Sequence, residues 1–472
     1  MSPGCGRYSA RRASPRYAAI VPGGRNDVIA GRILDYRAVR GIRKAPRAGA
    51  FRALVRIVLK AMTNHPSPVP PEMNLMRTHK LISVVLFSSA ALTGCMASED
   101  PLSDELVAEA TQAVSVVLDV RVGGSQAFVR VDNDALYGWG ANGSSQLGDG
   151  TTTNRSAPIH IVDDIIDVAG STSHSCAVSG AGLVYCFGSN GYNKAGDGSW
   201  YTTKATPTQV LGVSDAVAIA TGAEHSCAVL ASGTVSCWGH NGYKQLGDNS
   251  SVQSNATPVA VSGLSDAIAI DAGSYSTCVL RASGNVSCWG NNGLGQLGDG
   301  TMTTRATPVA VSGVSNATAI ARGSSHGCAL LADGTVVCWG SNSYGQLGLG
   351  VGSAAYATTP QAVPGLANIV AIGAGTFHTC AVRDDGAAFC WGLDDRQQIG
   401  DGNTSGNHHY APNQVPNLGG SAVSIDGGDG TTCARLSTGT VKCWGSDSSG
   451  TLGNGGTLPG SASSTPVTVA LP

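Results

Sequence analysis

The sequence predicts an all-β fold: a seven-bladed β-propeller of four-stranded blades, with disulfides inside the hairpins of six of its seven repeats. Two observations lead there. Twelve of the fourteen cysteines fall into six pairs, each ten positions apart: Cys176 with Cys186, Cys227 with Cys237, Cys278 with Cys288, Cys328 with Cys338, Cys380 with Cys390, and Cys433 with Cys443. The first cysteines of successive pairs are 51, 51, 50, 52 and 53 residues apart, the period of a propeller blade or solenoid unit. A second landmark, Trp-Gly, recurs at Trp139, Trp238, Trp289, Trp339, Trp391 and Trp444, with Phe187 in its place once, which makes seven units. Seven units of about fifty residues close into a ring without a long open sheet edge. A solenoid would need a polar cap, and the last unit shows no such change.

Each unit reads as four strands. An apolar run opens it, as in Ala267-Ile268-Ala269-Ile270. A hairpin follows, written most plainly by Cys227 to Gly239, where Ala231-Ser232-Gly233 supplies a three-residue turn with glycine at the position requiring positive φ. Counting outward from that turn sets Val229 opposite Val235 and Cys227 opposite Cys237. Alternation makes the cysteines a non-hydrogen-bonded pair, whose Cα atoms come close enough for a cross-strand disulfide. A Gly-rich loop comes next (Gln296-Leu297-Gly298-Asp299-Gly300), then a short strand from proline (Pro308 to Val311). In the first unit Phe128 and Gly138 stand at the cysteine positions. Zinc is the rival reading of the cysteines, but their spacing is too long for zinc knuckles and no histidine pairs match them.

Charge divides the chain. Residues 1–72 carry fourteen Lys/Arg against three acids, while residues 96–472 carry thirteen against twenty-eight, a net of about −15 before histidines. The acidic part would repel phosphate backbones, so no nucleic-acid partner is expected for it. Residues 1–72 are expected to be disordered or to lie upstream of the true start at Met73 or Met76. Residues 73–95 read as an export signal: Arg77, His79 and Lys80, an apolar run from Leu81 to Leu92, then Leu92-Thr93-Gly94-Cys95. That ending resembles the lipobox of bacterial lipoproteins, which implies lipidation at Cys95. Residues 96–115 would be an acidic tether, and Met96 instead of Asp favours the outer membrane. The expected setting is therefore the bacterial cell envelope, where disulfides form. The repeats are placed at about 116–162, 163–212, 213–263, 264–313, 314–365, 366–418 and 419–471.

Gly323 to Gly350, GSSHGCALLADGTVVCWGSNSYGQLGLG, resembles the repeat of the regulator of chromosome condensation family, and the likeness recurs in every unit over about 355 residues. The resemblance implies a seven-bladed propeller used as a binding platform. The nucleotide-exchange activity of the family's eukaryotic namesake uses a protruding insertion and a basic tail, and the acidic, evenly spaced units here show neither.

The tryptophans, one per unit, are expected to pack between blades. His174, His225, His326 and His378 sit two residues before a cysteine; a metal-holding ring and a hydrogen bond at the strand start compete, and the bond is favoured because Gln126, Ser276 and Thr431 replace them elsewhere. Asp149, Asp197, Asp248, Asp299 and Asp401 offer one carboxylate per Gly-Asp loop, better suited to a turn than to calcium. No metal, cofactor or catalytic constellation is expected, and the chain is read as a monomeric non-enzyme. The units vary most between the Gly-Asp loop and the proline strand, at Asn154, Arg155, Trp200, Tyr201, Val252, Met302, Tyr356, His408, His409 and Tyr410. Equivalent loops emerge on one face of a propeller, so these residues form the candidate binding face for a protein or glycan, with Trp200, Tyr201 and Tyr410 as anchors. The alternatives are an exchange-type regulator by family analogy and a hydrolase or lyase sited on those loops.

Overall fold

The computed structural model describes residues 116–472. The export segment, Cys95 and the tether lie outside the described residues. Seven four-stranded antiparallel sheets follow one another, each built from four strands consecutive in sequence. In the third blade the strands are Ala216–Thr221, His225–Leu230, Val235–His240 and Ser254–Ala260, counted from the channel outward. Each first strand carries a bulge opposite the second, which lets the short inner strand bend along the channel wall.

The hairpin register is the one the cysteine spacing requires. Cys227 faces Cys237, Val229 faces Val235, and Gly233 closes the turn at φ 79°. A Cβ on Gly233 would come within 2.6 Å of the Ser265 carbonyl of the next blade, so glycine is needed there twice over. The same register sets Cys176 opposite Cys186, Cys278 opposite Cys288, Cys328 opposite Cys338, Cys380 opposite Cys390, and Cys433 opposite Cys443. All six expected disulfides form, with Cα–Cα distances of 4.0 to 4.1 Å. Each therefore closes on its own hairpin, and none links one blade to another.

The core lies between blades. Every disulfide packs against the indole of the following blade. Cys176 and Cys186 lie on Trp238, Cys227 and Cys237 on Trp289, and Cys278 and Cys288 on Trp339. Further round, Cys328 and Cys338 lie on Trp391, Cys380 and Cys390 on Trp444, and Cys433 and Cys443 on Trp139. The expected inter-blade role of the tryptophans is thus what is found. Each indole is fully buried, worth roughly 2–3 kcal/mol of apolar burial. Each also donates its Nε1–H to a backbone carbonyl of the blade before it, as Trp238 does to Lys194 (2.9 Å) and Trp289 to Gln245 (2.8 Å).

The ring closes through the same device. Trp139 of the first blade donates to the Thr451 carbonyl of the seventh (2.8 Å), and the Val122 N–H donates to Asp426 (2.9 Å). No strand from one chain end completes the sheet of the other among the described residues, so closure rests on side-chain packing and these bonds.

Candidate binding face

The histidine row is an inter-blade seam. The Nε2 of His174, His225, His326 and His378 lies 2.8–2.9 Å from the hydroxyl of Ser226, Thr277, Thr379 and Thr432, each on the next blade. Those hydroxyls donate onward to the carbonyls of Lys194, Gln245, Gln346 and Gln398, which also receive an indole N–H. A hydroxyl that gives its proton away must accept from the imidazole, so Nε2 carries the hydrogen. Burial pushes His225 and His326 down to about 3 and His378 to about 4, which keeps the rings neutral. The imidazoles bridge neighbouring blades instead of converging on a metal.

Three interfaces lack the histidine, with Gln126, Ser276 or Thr431 in its place, and at one of them an arginine takes over. Ser276 stands where histidine would be, Gly327 stands where the next blade's hydroxyl would be, and Arg322 fills the space. Its Nη1 donates to the Gln296 carbonyl (2.7 Å) and its Nη2 donates to Ser276 Oγ.

The connection between third and fourth strands is tied down by an asparagine. Asn292 Oδ1 accepts the Leu297 N–H (3.0 Å), and its Nδ2 donates to Asp299 and to the carbonyls of Thr301 and Thr303. The loop aspartates serve the turn. Burial raises the Asp149 pKa, but bonds from Arg155, Thr151 and Asn142 outweigh it and hold the carboxyl below its usual range. Asp299 is held the same way by Thr301 and Arg305, and Asp197 by Lys204 and Ser199.

The channel through the ring encloses about 350 Å³ and is walled by the seven first strands. Asp271 accepts the N–H of Ala272 and that of Arg322 on the next blade; Asp426 does so with Gly427 and Val122, and Asp167 with Val168 and Ile219. Removal from bulk water, joined by the charge of Asp426, pushes Asp271 up to about 7.

Turns between first and second strands emerge on the same face as the long third-to-fourth connections. Arg396 on one bonds Asp429 on the other, and Tyr243 stacks on Tyr275 at 4.9 Å between ring centroids. On this face Tyr192, His240, Tyr243 and Tyr275 form a continuous aromatic run over the second to fourth blades, with Tyr192 to His240 at 4.7 Å. Tyr344, Phe377, His408 and Tyr410 form another over the fifth and sixth.

The residues named from the sequence divide. Trp200 and Tyr201 are 60% and 64% exposed and touch each other, and Tyr356 is exposed at the edge of its blade. His408 and Tyr410 are half-buried in the second aromatic run. Asn154 and Arg155 are turned inward: Asn154 Oδ1 accepts the Asn142 N–H (2.8 Å) and Arg155 pairs with Asp149. His409 points between Asp394 and Asp401. Tyr192, Tyr243, Tyr275, Tyr344 and Phe377 were not singled out by the sequence. For Tyr192, Tyr243 and Tyr344 the signal was available, because the position two after the loop asparagine changes from Ser144 to these and to Leu294, whereas Tyr275 and Phe377 lie in first-to-second-strand turns with no such mark. At the opposite ends of the first strands the bulged residues Val217, Ile268, Val370 and Val423 are exposed aliphatics.

The RCC1-like domain model matches residues 94–418, and the regulator of chromosome condensation (RCC1) repeat matches residues 422–451. The chain belongs to the RCC1-like family. Among members of that family, the ultraviolet-B receptor UVR8 of Arabidopsis thaliana is 28% identical over 369 residues, covering 76% of this chain and 82% of the receptor. The E3 ubiquitin-protein ligase HERC2 of Mus musculus is 28% identical over 298 residues, covering 60% of this chain. The chain spans only 6% of the length of that ligase. Of solved structures, human WBSCR16 matches with a TM-score of 0.65 at 20% identity, over 72% of this chain and 95% of that one. Yeast RCC1 (Prp20), solved with Kap60, matches with a TM-score of 0.62 at 20% identity, over 80% and 90%.

Proposed function

We propose that this protein is a non-catalytic, rigid binding platform whose partner is a protein, docked on the face that carries the aromatic runs. The observation carrying this reading is the run Tyr192–His240–Tyr243–Tyr275, in which Tyr192 and Tyr243 are exposed and the other two half-buried, with Trp200 and Tyr201 on the same blade face. Aromatic side chains supply large contact area at low entropic cost and dominate recognition energies. The scaffold beneath is stapled and cross-bonded, so little ordering is needed on binding. The relatives support a binding or regulatory role, since they include a light receptor and a structure bound to Kap60.

The setting we propose is the bacterial cell envelope, reached through the export segment at 73–95 and held by lipid on Cys95. Six disulfides favour an oxidising compartment, which supports it. Photo-crosslinking in envelope fractions from a residue introduced at Leu294, the exposed equivalent position of the fourth blade, tests the face. Capture of one defined protein should fall at least tenfold in Y243A/Y275A and in W200A/Y201A, and persist in V217S/I268S at the opposite strand ends. Equal capture by all three variants sinks the assignment.

A further inference from the structure

The sixth blade breaks the polar pattern of its loop at two positions, and the two changes meet. In five blades an asparagine anchors the third-to-fourth connection: Asn142, Asn190, Asn241, Asn292 and Asn342. Its amide nitrogen points into a nest of acceptors, as Asn142 Nδ2 does to Asp149 Oδ1 (2.8 Å) and the Thr151 carbonyl (3.1 Å). In three of these blades the loop acid is then neutralised by a cation, Arg155, Lys204 or Arg305; in the third Asp248 meets only polar neighbours, and in the fifth Leu349 replaces the acid. In the sixth blade the asparagine is Asp394, the loop acid is kept as Asp401, and the cation position holds His409.

Asp394 Oδ1 still accepts the backbone N–H five residues on, from Ile399 (3.0 Å). Its other oxygen occupies the place of the missing amide. That oxygen is buried and has no hydrogen-bond partner, and the side chain is 1% exposed. It is aimed at the cluster: His409 Nε2 lies 3.7 Å from Asp394 Oδ2 and 3.4 Å from Asp401 Oδ2. A carboxylate oxygen stands where an amide donor was, and an imidazole stands where a permanent cation was, so the buried carboxylate is costly by several kcal/mol unless a metal ion or the protonated imidazole meets it.

We infer that the sixth blade binds a divalent transition-metal cation, of the Zn²⁺ or Mn²⁺ class, through Asp394 Oδ2, Asp401 Oδ2 and His409 Nε2. All three ligand atoms lie within 4.8 Å of one another. Ligands about 2.1 Å from a tetrahedral ion sit about 3.4 Å apart, so the site is nearly closed already. An imidazole with two carboxylates suits such ions better than Mg²⁺ or Ca²⁺, which prefer all-oxygen sets. The Asn403 N–H donates to Asp401 Oδ1 (2.8 Å) and orients the carboxylate, as outer partners of metal ligands do, while the Asn403 and Asn413 amides hold Oδ2 at 2.6 and 2.9 Å and one of them gives way to the ion. His409 is the most accessible of the three.

The rival occupant is the His409 imidazolium alone, paired with both acids. Titration calorimetry of the disulfide-bonded, chelator-stripped protein with Zn²⁺ and with Mn²⁺ separates the two. The expected result is one site, weakened at least a hundredfold in D394N and in H409R. D394N restores the residue that five blades use, so it should keep the fold and its circular dichroism. D447N changes the equivalent acid of the seventh blade, where Asn454 replaces the loop acid, and should leave binding intact. Failure of the wild type to bind either ion, or undiminished binding by D394N, overturns the inference.

Discussion

Phe128 of the first blade and Phe187 of the second meet edge to face, with ring centroids 6.2 Å apart and planes at 75°. At every other interface a disulfide packs against an indole. Here both partners are missing, and a benzyl ring fills each vacancy. Gly138 belongs to the same exchange, because a Cβ there would come 2.9 Å from the Phe128 ring. Two departures from the repeat, 59 positions apart (187 minus 128), are one packing solution.

That solution should behave as a unit. F128C/G138C should form a seventh disulfide yet leave Phe187 underpacked, while F187W alone should overpack against Phe128 and cost about 1–3 kcal/mol. The combined F128C/G138C/F187W variant should recover, with a coupling of about 1 kcal/mol or more in denaturant unfolding. Strictly additive changes would show the two sites to be independent.

Arg322 is the second compensating residue. R322A removes donors from the buried Gln296 carbonyl and Ser276 hydroxyl and opens a cavity, so it should cost about 2–4 kcal/mol. Adding S276H and G327T to R322A rebuilds the histidine–threonine bridge seen at neighbouring interfaces. Recovery of at least half the lost stability is expected, and a triple variant no better than R322A would contradict the assignment.

The staples stabilise the chain mainly by restricting its unfolded form. Each closes a hairpin of cysteines ten apart, for which loop closure gives slightly under ~3 kcal/mol. Replacing Cys278 and Cys288 by serine should therefore lower stability by up to about 3 kcal/mol, with strain and repacking around Trp339 setting the shortfall. The same change at Cys328 and Cys338, or at Cys380 and Cys390, should fall in the same range, because their loops are equally long. Alkylation before and after reduction should find none and then twelve of the cysteines of residues 116–472 reactive.

The channel acids make stability depend on pH. Asp271 titrates near 7 and Asp426 near 6 because both leave bulk water; for Asp271 the charge of Asp426 adds to this, and Arg121 opposes it for Asp426. Asp167 is also raised, and Asp119 and Arg322 lie within the same field. The folded state then holds protons that the unfolded chain has already released. Stability contributed here is present below about pH 4 and falls as pH rises to about 7. D271N should flatten that fall by on the order of 1 kcal/mol between about pH 4.5 and 7.5. Parallel wild-type and D271N curves over this window would refute it.

Much of the architecture was legible because its determinants are local. A cysteine pair at a fixed separation, a glycine in a three-residue turn and strict alternation specify a hairpin and its register, whatever surrounds it. Repetition of that hairpin counts the blades, and it placed Cys186 and Cys443 opposite their partners as reliably as Cys237. Nothing in the sequence marks the loop asparagine as a tie, and Arg155 stands among the candidate contacts although Arg305 repeats its pairing with the loop acid. Variation across units marks contacts and compensations alike, and a one-dimensional comparison does not separate them.

What the chain by itself determined, then, is the blade, the number of blades and the disulfides within them. The tertiary structure decided everything that joins residues about fifty positions apart across an interface: disulfide on indole, imidazole to hydroxyl, Arg322 in place of both, and the shared aromatic face. It also decided that Asp394, Asp401 and His409 converge. The physical reason is that a strand's own pattern reports which way a side chain points, whereas the partner it meets is set by how neighbouring blades are packed around the ring.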